Sequence, residues 1–438
     1  MRARPAAWVL FLAALFGCLQ LANVTGRDTP DSRNYLSYAL GLGGADKAEA
    51  AGRTIAYLCA SRGETASRKH SVNVRLFRAP DPGPEVRAEC HRSYERRIER
   101  RLDAGRTSGW TVPFMNERFM RIFEVRPGYP LLLTPFVALF GVTWGVWAAG
   151  VFVAAAGGAL VFLVLRTVDV PVGPALTGQA LYYVLPTGAT AMRPMTEGTT
   201  LALTLGALWG CALVLRGRPG GGLVAVSLAL LFAVKHSQAL FLAVCLAGAC
   251  CLVAVQRRRA GRPAGDAVRT LLKVTVAAAF GTALLARLLR YPSESDSLQD
   301  LLTDHYHRPD REHPWGEFFQ LEVSFWREWL RRQLLQPLFL VLVAAGAWGA
   351  LRQRPAFGVL LVGAAATGVL GMAAHPDIVI ERLMVMTWLI PVVGLPLLLA
   401  DADLRLRRPG ASVVSPPSPS SPLRSAAPEP RVLGRRAG

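Results

Sequence analysis

"AAWVLFLAALFGCLQLA", Ala6 to Ala22, presents no polar face at helical spacing. As a helix of 17 uncharged residues it would be about 25 Å long, close to the hydrocarbon thickness of a bilayer. Two later runs are of the same kind, "LFLAVCLAGACCLVAV" (Leu240 to Val255) and "LMVMTWLIPVVGLPLLLA" (Leu383 to Ala400). Only helices and closed barrels satisfy their own backbone groups inside lipid, and continuous runs of this length are helical. The chain of 438 residues, 52% of them hydrophobic, therefore reads as an all-α polytopic membrane protein. The first run follows Arg2 and Arg4 and is not closed by a small-residue cleavage site, so it reads as a retained signal-anchor.

A net charge of +19 would suit nucleic acid, but in a membrane protein arginine collects on cytoplasmic loops and headgroup-facing surfaces. With no aromatic-rich basic module, nucleic acid is not an expected partner, whereas membrane lipids are. Five of the seven cysteines lie in apolar runs. Cys59 and Cys90 lie in a polar loop, where a disulfide and two free thiols both fit the sequence.

Short basic loops fix the sides of the membrane. "LRGRPGGG" (215–222), "QRRRAGRPAGDAVR" (256–269), "LRQRP" (351–355) and "LRLRRPG" (404–410) are assigned to the cytoplasm. Residues 24–128 and 290–333 then become large extracytoplasmic loops, and "KHSQ" (235–238) becomes a tight extracytoplasmic turn. Parity leaves 129–144 as a re-entrant or interfacial segment ahead of a crossing at 145–166; the alternative is a flip of sides at Arg166. About ten crossings result, in a transmembrane domain over 1–405 with both termini cytoplasmic. The Pro-, Ser- and Arg-rich tail, 406–438, has little to bury and is expected to be disordered.

Chemistry gathers in the loops assigned to the outside. The first carries Asp28 and Asp31 and ends in Arg126; the second carries Arg193 and Glu197; the third, Lys235 and His236. The fourth includes "DHYHRPDREH" (304–313), and the fifth holds His375, Asp377, Glu381 and Arg382. Ionisable groups at span ends are costly unless paired or working, so the asymmetry points to an outward-facing site. Plainer roles compete: Asp31 as a helix N-cap before Ser32, Glu197 as a cap or partner of Arg193, and Lys235 as a snorkelling span-end residue. Asp304, His305, His307 and His313 could form an acceptor-binding loop or ligate a divalent metal. Trp315, Phe318, Phe319, Trp326 and Trp329 suit sugar stacking or an interfacial aromatic belt. "HRSYERRIERRLDAGR" (91–106) suits a solvated surface helix or one lying on headgroups.

Asp31, Tyr35 and Ala39, spaced four apart after the first span, form "D-x-x-x-Y-x-x-x-A". Together with "RPGYPLLLTPFVALFG" (126–141), "RPMTEGTTLALTLGAL" (193–208) and "ERLMVMTWLIPVVGLPLLL" (381–399), this resembles the GT-C superfamily of integral-membrane glycosyltransferases. The similarity is to its protein-mannosyltransferase and aminoarabinose-transferase relatives. The resemblance implies a hexosyl- or pentosyltransferase using a polyprenyl-phosphate-linked donor and an acceptor hydroxyl on a cell-envelope glycan, lipid or protein. It places the catalytic base at Asp31, with Asp28 as its neighbour and Glu197 as a further acid. Arg126, Arg193, Lys235, His236 and Arg382 are the candidates for the donor phosphate, since leaving-group charge needs cationic stabilisation. A divalent cation, Mg or Mn, serves some relatives and not others. The competing readings are a lipid or small-molecule transporter and a non-catalytic scaffold.

Overall fold

A computed structural model describes residues 5–376 and 381–407. Asp377 and the tail from Arg408 onward lie outside the described residues. Sixteen α-helices and two 3-10 segments make up the described chain, with no strand among them. They are α1 (Pro5–Gln20), α2 (Ser32–Leu42), α3 (Lys47–Ser71), α4 (Gly83–Asp103), α5 (Glu117–Glu124) and α6 (Gly128–Thr167), then α7 (Val172–Val184), α8 (Pro186–Ala191), α9 (Thr196–Leu215), α10 (Gly221–Arg259) and α11 (Asp266–Leu288). The last five are α12 (Glu294–Leu302), α13 (Pro314–Leu335), α14 (Leu338–Gln353), α15 (Pro355–Ala374) and α16 (Leu389–Arg407).

Seven helical segments are long and apolar enough to cross a membrane, or eight if the bent pair α13 and α14 is one span. This is a helical membrane protein. The count by length and composition is below the ten expected because α10 holds two apolar segments, α7 is only 13 residues long and α14 qualifies only with α13. α6 is broken at Gly141 (φ 73°), and α10 at Lys235, where the backbone is extended.

The break at Lys235 reverses the chain. Residues 221–234 run back along α9, with Val224 against Gly210, Ser227 against Gly206 and Lys235 beside Glu197. Residues 236–259 then return: Gln238 reaches Gly371, Cys245 reaches Gly363, and Val253 shares one small internal gap with Leu215 and Leu360. A straight α10 of 39 residues would put Gly221 and Val253 nearly 50 Å apart. "KHSQ" is therefore the tip of a helical hairpin.

Two ends of the bundle can be distinguished. The base end gathers Arg216 and Arg354 on Asp169, at 2.8 and 3.5 Å. The head end carries Glu197 and Lys235. α6 starts there, with Gly128 packed on Ala233 and Val234. After the break, Trp147 donates to the Gln20 carbonyl (3.3 Å) and Gly150 packs on Met192, also at the head end. Thus 128–140 begins and finishes at one end, and 142–167 alone runs to the base. The expected boundary near 144 falls at Gly141, the residue free to adopt the positive φ.

Small residues allow close approach where lipid supplies no hydrophobic drive between helices. Gly346 and Gly349 of α14 meet the backbone of α16 at Ile390 and Gly394, and any Cβ there would clash. Above the spans, α2 to α5 fold into a head with its own core, including Tyr35, Leu36, Ile55, Leu58, Phe114 and Leu133. A Cys59–Cys90 disulfide ties α3 to α4, resolving the alternative left open by the sequence. α4 is a surface helix, burying only Gly83, Cys90, Tyr94 and Ile98.

Candidate functional site

Asp31 stands at the N-cap position of α2, but its side chain caps nothing. Thr29 and Ser32 satisfy that turn instead, Thr29 N–H donating to Ser32 Oγ at 2.8 Å. The Asp31 carboxylate turns to Arg382, whose Nη2 lies 2.5 Å from Oδ2. The two residues are 351 positions apart and largely buried. The local capping role is thus not the one Asp31 plays.

Asp28 is placed differently. Its carboxylate accepts from Ser61 Oγ of α3, with Tyr57 close by, so it anchors the loop to the head. Of the two acids, Asp31 faces the bundle and Asp28 does not join it.

Glu197 opens α9 and pairs with Lys235 across 3.3 Å; their side chains are only 7% and 14% exposed. Arg382 lies within electrostatic range of both Asp31 and Glu197, linking the two pairs. Lys235 reaches Glu197 because it sits at the hairpin tip, outside regular helix. The alternative pairing with Arg193 does not form: Arg193 is exposed and lies near another cation, Arg27. Among the predicted phosphate ligands, Arg193 is the one the fold leaves apart.

Tyr35, four residues into α2, is buried between Phe123 and Tyr129, and burial pushes its phenol up from the ordinary range. Arg126 Nη1 donates to its hydroxyl at 3.5 Å. Tyr35 is also within range of the Asp31 and Glu197 charges, and His236 is within range of Arg126 and Lys235. Asp31, Glu197, Arg126, Lys235, His236 and Arg382 therefore form one constellation. Three of its nitrogens, Arg126 Nε, Arg382 Nε and His236 Nδ1, are buried without a hydrogen-bond partner in the protein. Buried polar groups of this kind are costly unless something hydrogen-bonds them.

Sequence reasoning missed the aromatic wall. Tyr291 stacks on Phe232 and meets His236 edge-on at 4.8 Å. Arg290 (φ 52°) turns the chain there, and Arg121 holds its carbonyl at 2.8 Å. Nothing local in "LLRYPS" marks such a contact.

The 304–313 loop does not converge as a group. His305 turns inward, with Nδ1 3.1 Å from Asp300 Oδ1 and its ring 4.4 Å from that of Phe119. The hydrogen bond to Asp300 raises its pKa despite burial, and the Asp31 charge contributes. His307 bonds the Asp304 carbonyl, while Asp304 and His313 are exposed. No group of three or more His, Cys, Asp or Glu is arranged to hold a metal among the described residues. Asp304, His305 and Tyr306 are three successive left-handed residues (φ 52°, 58° and 59°), a conformation costing roughly 1–2 kcal/mol each. They are held by Tyr306 Oη donating to the Asp296 carbonyl (2.6 Å) and by Arg118, which lies over the Tyr306 ring and pairs with Asp310.

Compared with known proteins, the chain matches no family model, and it has no match among the curated proteins or the solved structures.

Proposed function

We propose that this chain is a GT-C-like membrane glycosyltransferase, moving a sugar from a polyprenyl-phosphate-linked donor to an acceptor hydroxyl at the extracytoplasmic face of the cell membrane. One observation carries the reading. At one end of an apolar bundle the Asp31 carboxylate, from the loop after α1, pairs with Arg382 ahead of α16, beside the Glu197–Lys235 pair and the Arg126 guanidinium on Tyr35 just before α6.

The chemistry assigns each residue a task. Asp31 takes the acceptor hydroxyl proton as that oxygen bonds to the anomeric carbon. The anomeric carbon–oxygen bond breaks, and the electron pair leaves with the polyprenyl phosphate. Arg126 and Arg382, with their unpartnered Nε groups, and Lys235 stabilise that leaving charge. Glu197 holds Lys235 in position. His236 and Tyr291 line the approach. In this reading Arg382 grips Asp31 until substrate phosphate competes for the guanidinium.

The reading takes ten crossings: α1, 142–167, α7 with α8, α9, 221–234, 236–259, α11, α14, α15 and α16. The head faces outward because the base end carries the short basic loops.

The test supplies purified protein in vesicles with a panel of polyprenyl-phosphate sugars and soluble and lipid acceptors. Release of free polyprenyl phosphate matched by glycosylated acceptor supports the reading. Translocation of the intact lipid-linked sugar, without bond breakage, would replace it with a transporter.

A further inference from the structure

α13 takes no part in the reaction proposed above, yet it is among the most amphipathic elements of the chain. Trp315, Phe319, Val323, Leu330 and Leu334 are all exposed, between 48% and 68%. Steps of four, four, seven and four residues keep them on one stripe of the helix. Next to the stripe around the helix Gln320, Ser324, Arg327 and Arg331 are exposed, and Glu317 and Arg332 are exposed on the side away from it. The cylinder thus carries an exposed apolar stripe beside an exposed polar face.

We propose that α13 lies in the plane of the membrane at the head end, its apolar stripe sunk to the acyl boundary and its arginines among phosphate-bearing headgroups. Three observations favour a lipid surface. First, α13 and α14 meet at 87°. α14 runs along the bundle, fixed by its glycine contacts with α16 and ending beside Arg354 at the base, so a helix perpendicular to it lies in the membrane plane. Second, exposed apolar residues continue at the corner, Leu335 and Leu338, and on to Val341 of α14, one of the helices read as spans. Third, the charges fall where an interfacial helix needs them, with arginine on the water-facing side and tryptophan at the boundary.

The remaining edge of α13 faces protein. Phe325, Trp326 and Trp329 pack with Met372, Leu383 and Met384, next to Arg382 in sequence. The depth at which α13 sits therefore sets the height of the Arg382–Asp31 pair relative to the headgroups. The inference does not depend on the transferase reading, and its test needs no activity.

Single cysteines at Phe319, Val323, Gln320 and Arg331 (Phe319→Cys, Val323→Cys, Gln320→Cys, Arg331→Cys) are placed in the full chain with the exposed Cys18 and Cys251 replaced by alanine. Each is labelled with a nitroxide in vesicles of phosphatidylcholine and phosphatidylglycerol, and power saturation compares oxygen with a water-soluble nickel chelate. The oxygen-to-nickel accessibility ratio is expected to be several-fold higher at 319 and 323 than at 320 and 331. Nickel access at 319 and 323 equal to that at 320 would place the helix in water and overturn the proposal. Shielding of both positions from both reagents would show a second copy or another protein on this face, and would overturn it equally. If a cysteine at 319 or 323 prevents assembly, Trp315→Cys and Leu334→Cys read the same stripe with the same two reagents.

Discussion

Replacing Lys235 by methionine should strand the Glu197 carboxylate. At 3.3 Å and an effective dielectric of about 20, the pair's attraction is about 5 kcal/mol. Both side chains are more than four-fifths buried, so water cannot replace the lost partner. Breaking a buried pair from one side costs about 3–5 kcal/mol, and the nearby Arg382 charge should keep the loss toward the lower value. Glu197→Gln alone should cost a similar amount by leaving the lysine unpaired. The double variant removes both charges and should recover most of the loss, giving a coupling energy of about 2 kcal/mol or more. Reversible unfolding in mixed micelles, followed for the parent, both single variants and the double, measures this cycle. Additive effects within about 0.5 kcal/mol would show that the pair does not join α9 to the hairpin tip, and the constellation would lose its central link.

Three further outcomes follow from the same geometry. An impermeant maleimide applied to intact cells should label Ala48→Cys on the head, and should reach Arg218→Cys at the base only after permeabilisation; the reverse pattern would turn the molecule over. Cys59→Ser should lower stability by about 4 kcal/mol on a chain-entropy estimate for its 31-residue separation, and tryptic peptides run without reductant should stay linked in the parent alone. The Asp300 partner raises the His305 pKa in the folded chain, so its contribution is fully present below the unfolded imidazole value and is lost as pH rises through the raised one. Hydrogen exchange of 303–308, corrected for intrinsic rates, should therefore quicken between mildly acidic and alkaline pH, and His305→Gln should abolish that dependence. No dependence in the parent would dissociate the pair from loop order.

The helical membrane class was legible because run length and apolarity are properties of single segments. So was the gathering of Arg216, Arg354 and the turn after Arg166 at one end, which followed from where short basic loops fall. The count of spans was less direct, since continuous helix across Gly141 and Lys235 hides two reversals that only packing reveals. Within the site, the residue types at span ends were readable but their pairings were not. Asp31 and Arg382 meet across 351 positions, and Glu197 prefers Lys235, 38 residues away, to Arg193 on its own loop. Arg118, which holds Asp310 and Tyr306 from across the head, left no local trace in the sequence. The disulfide was open for the same reason: spacing alone does not bring Cys59 within bonding reach of Cys90.

Turnover by Asp31→Asn is the sharpest test. The substitution keeps the shape of the side chain and a contact to Arg382 while removing the group that would accept the acceptor's proton. Polyprenyl-phosphate release should fall by about 100-fold or more with donor binding retained, as expected for loss of a general base. Turnover equal to the parent, at equal expression and donor affinity, would show that the carboxylate gripped by Arg382 does no chemistry.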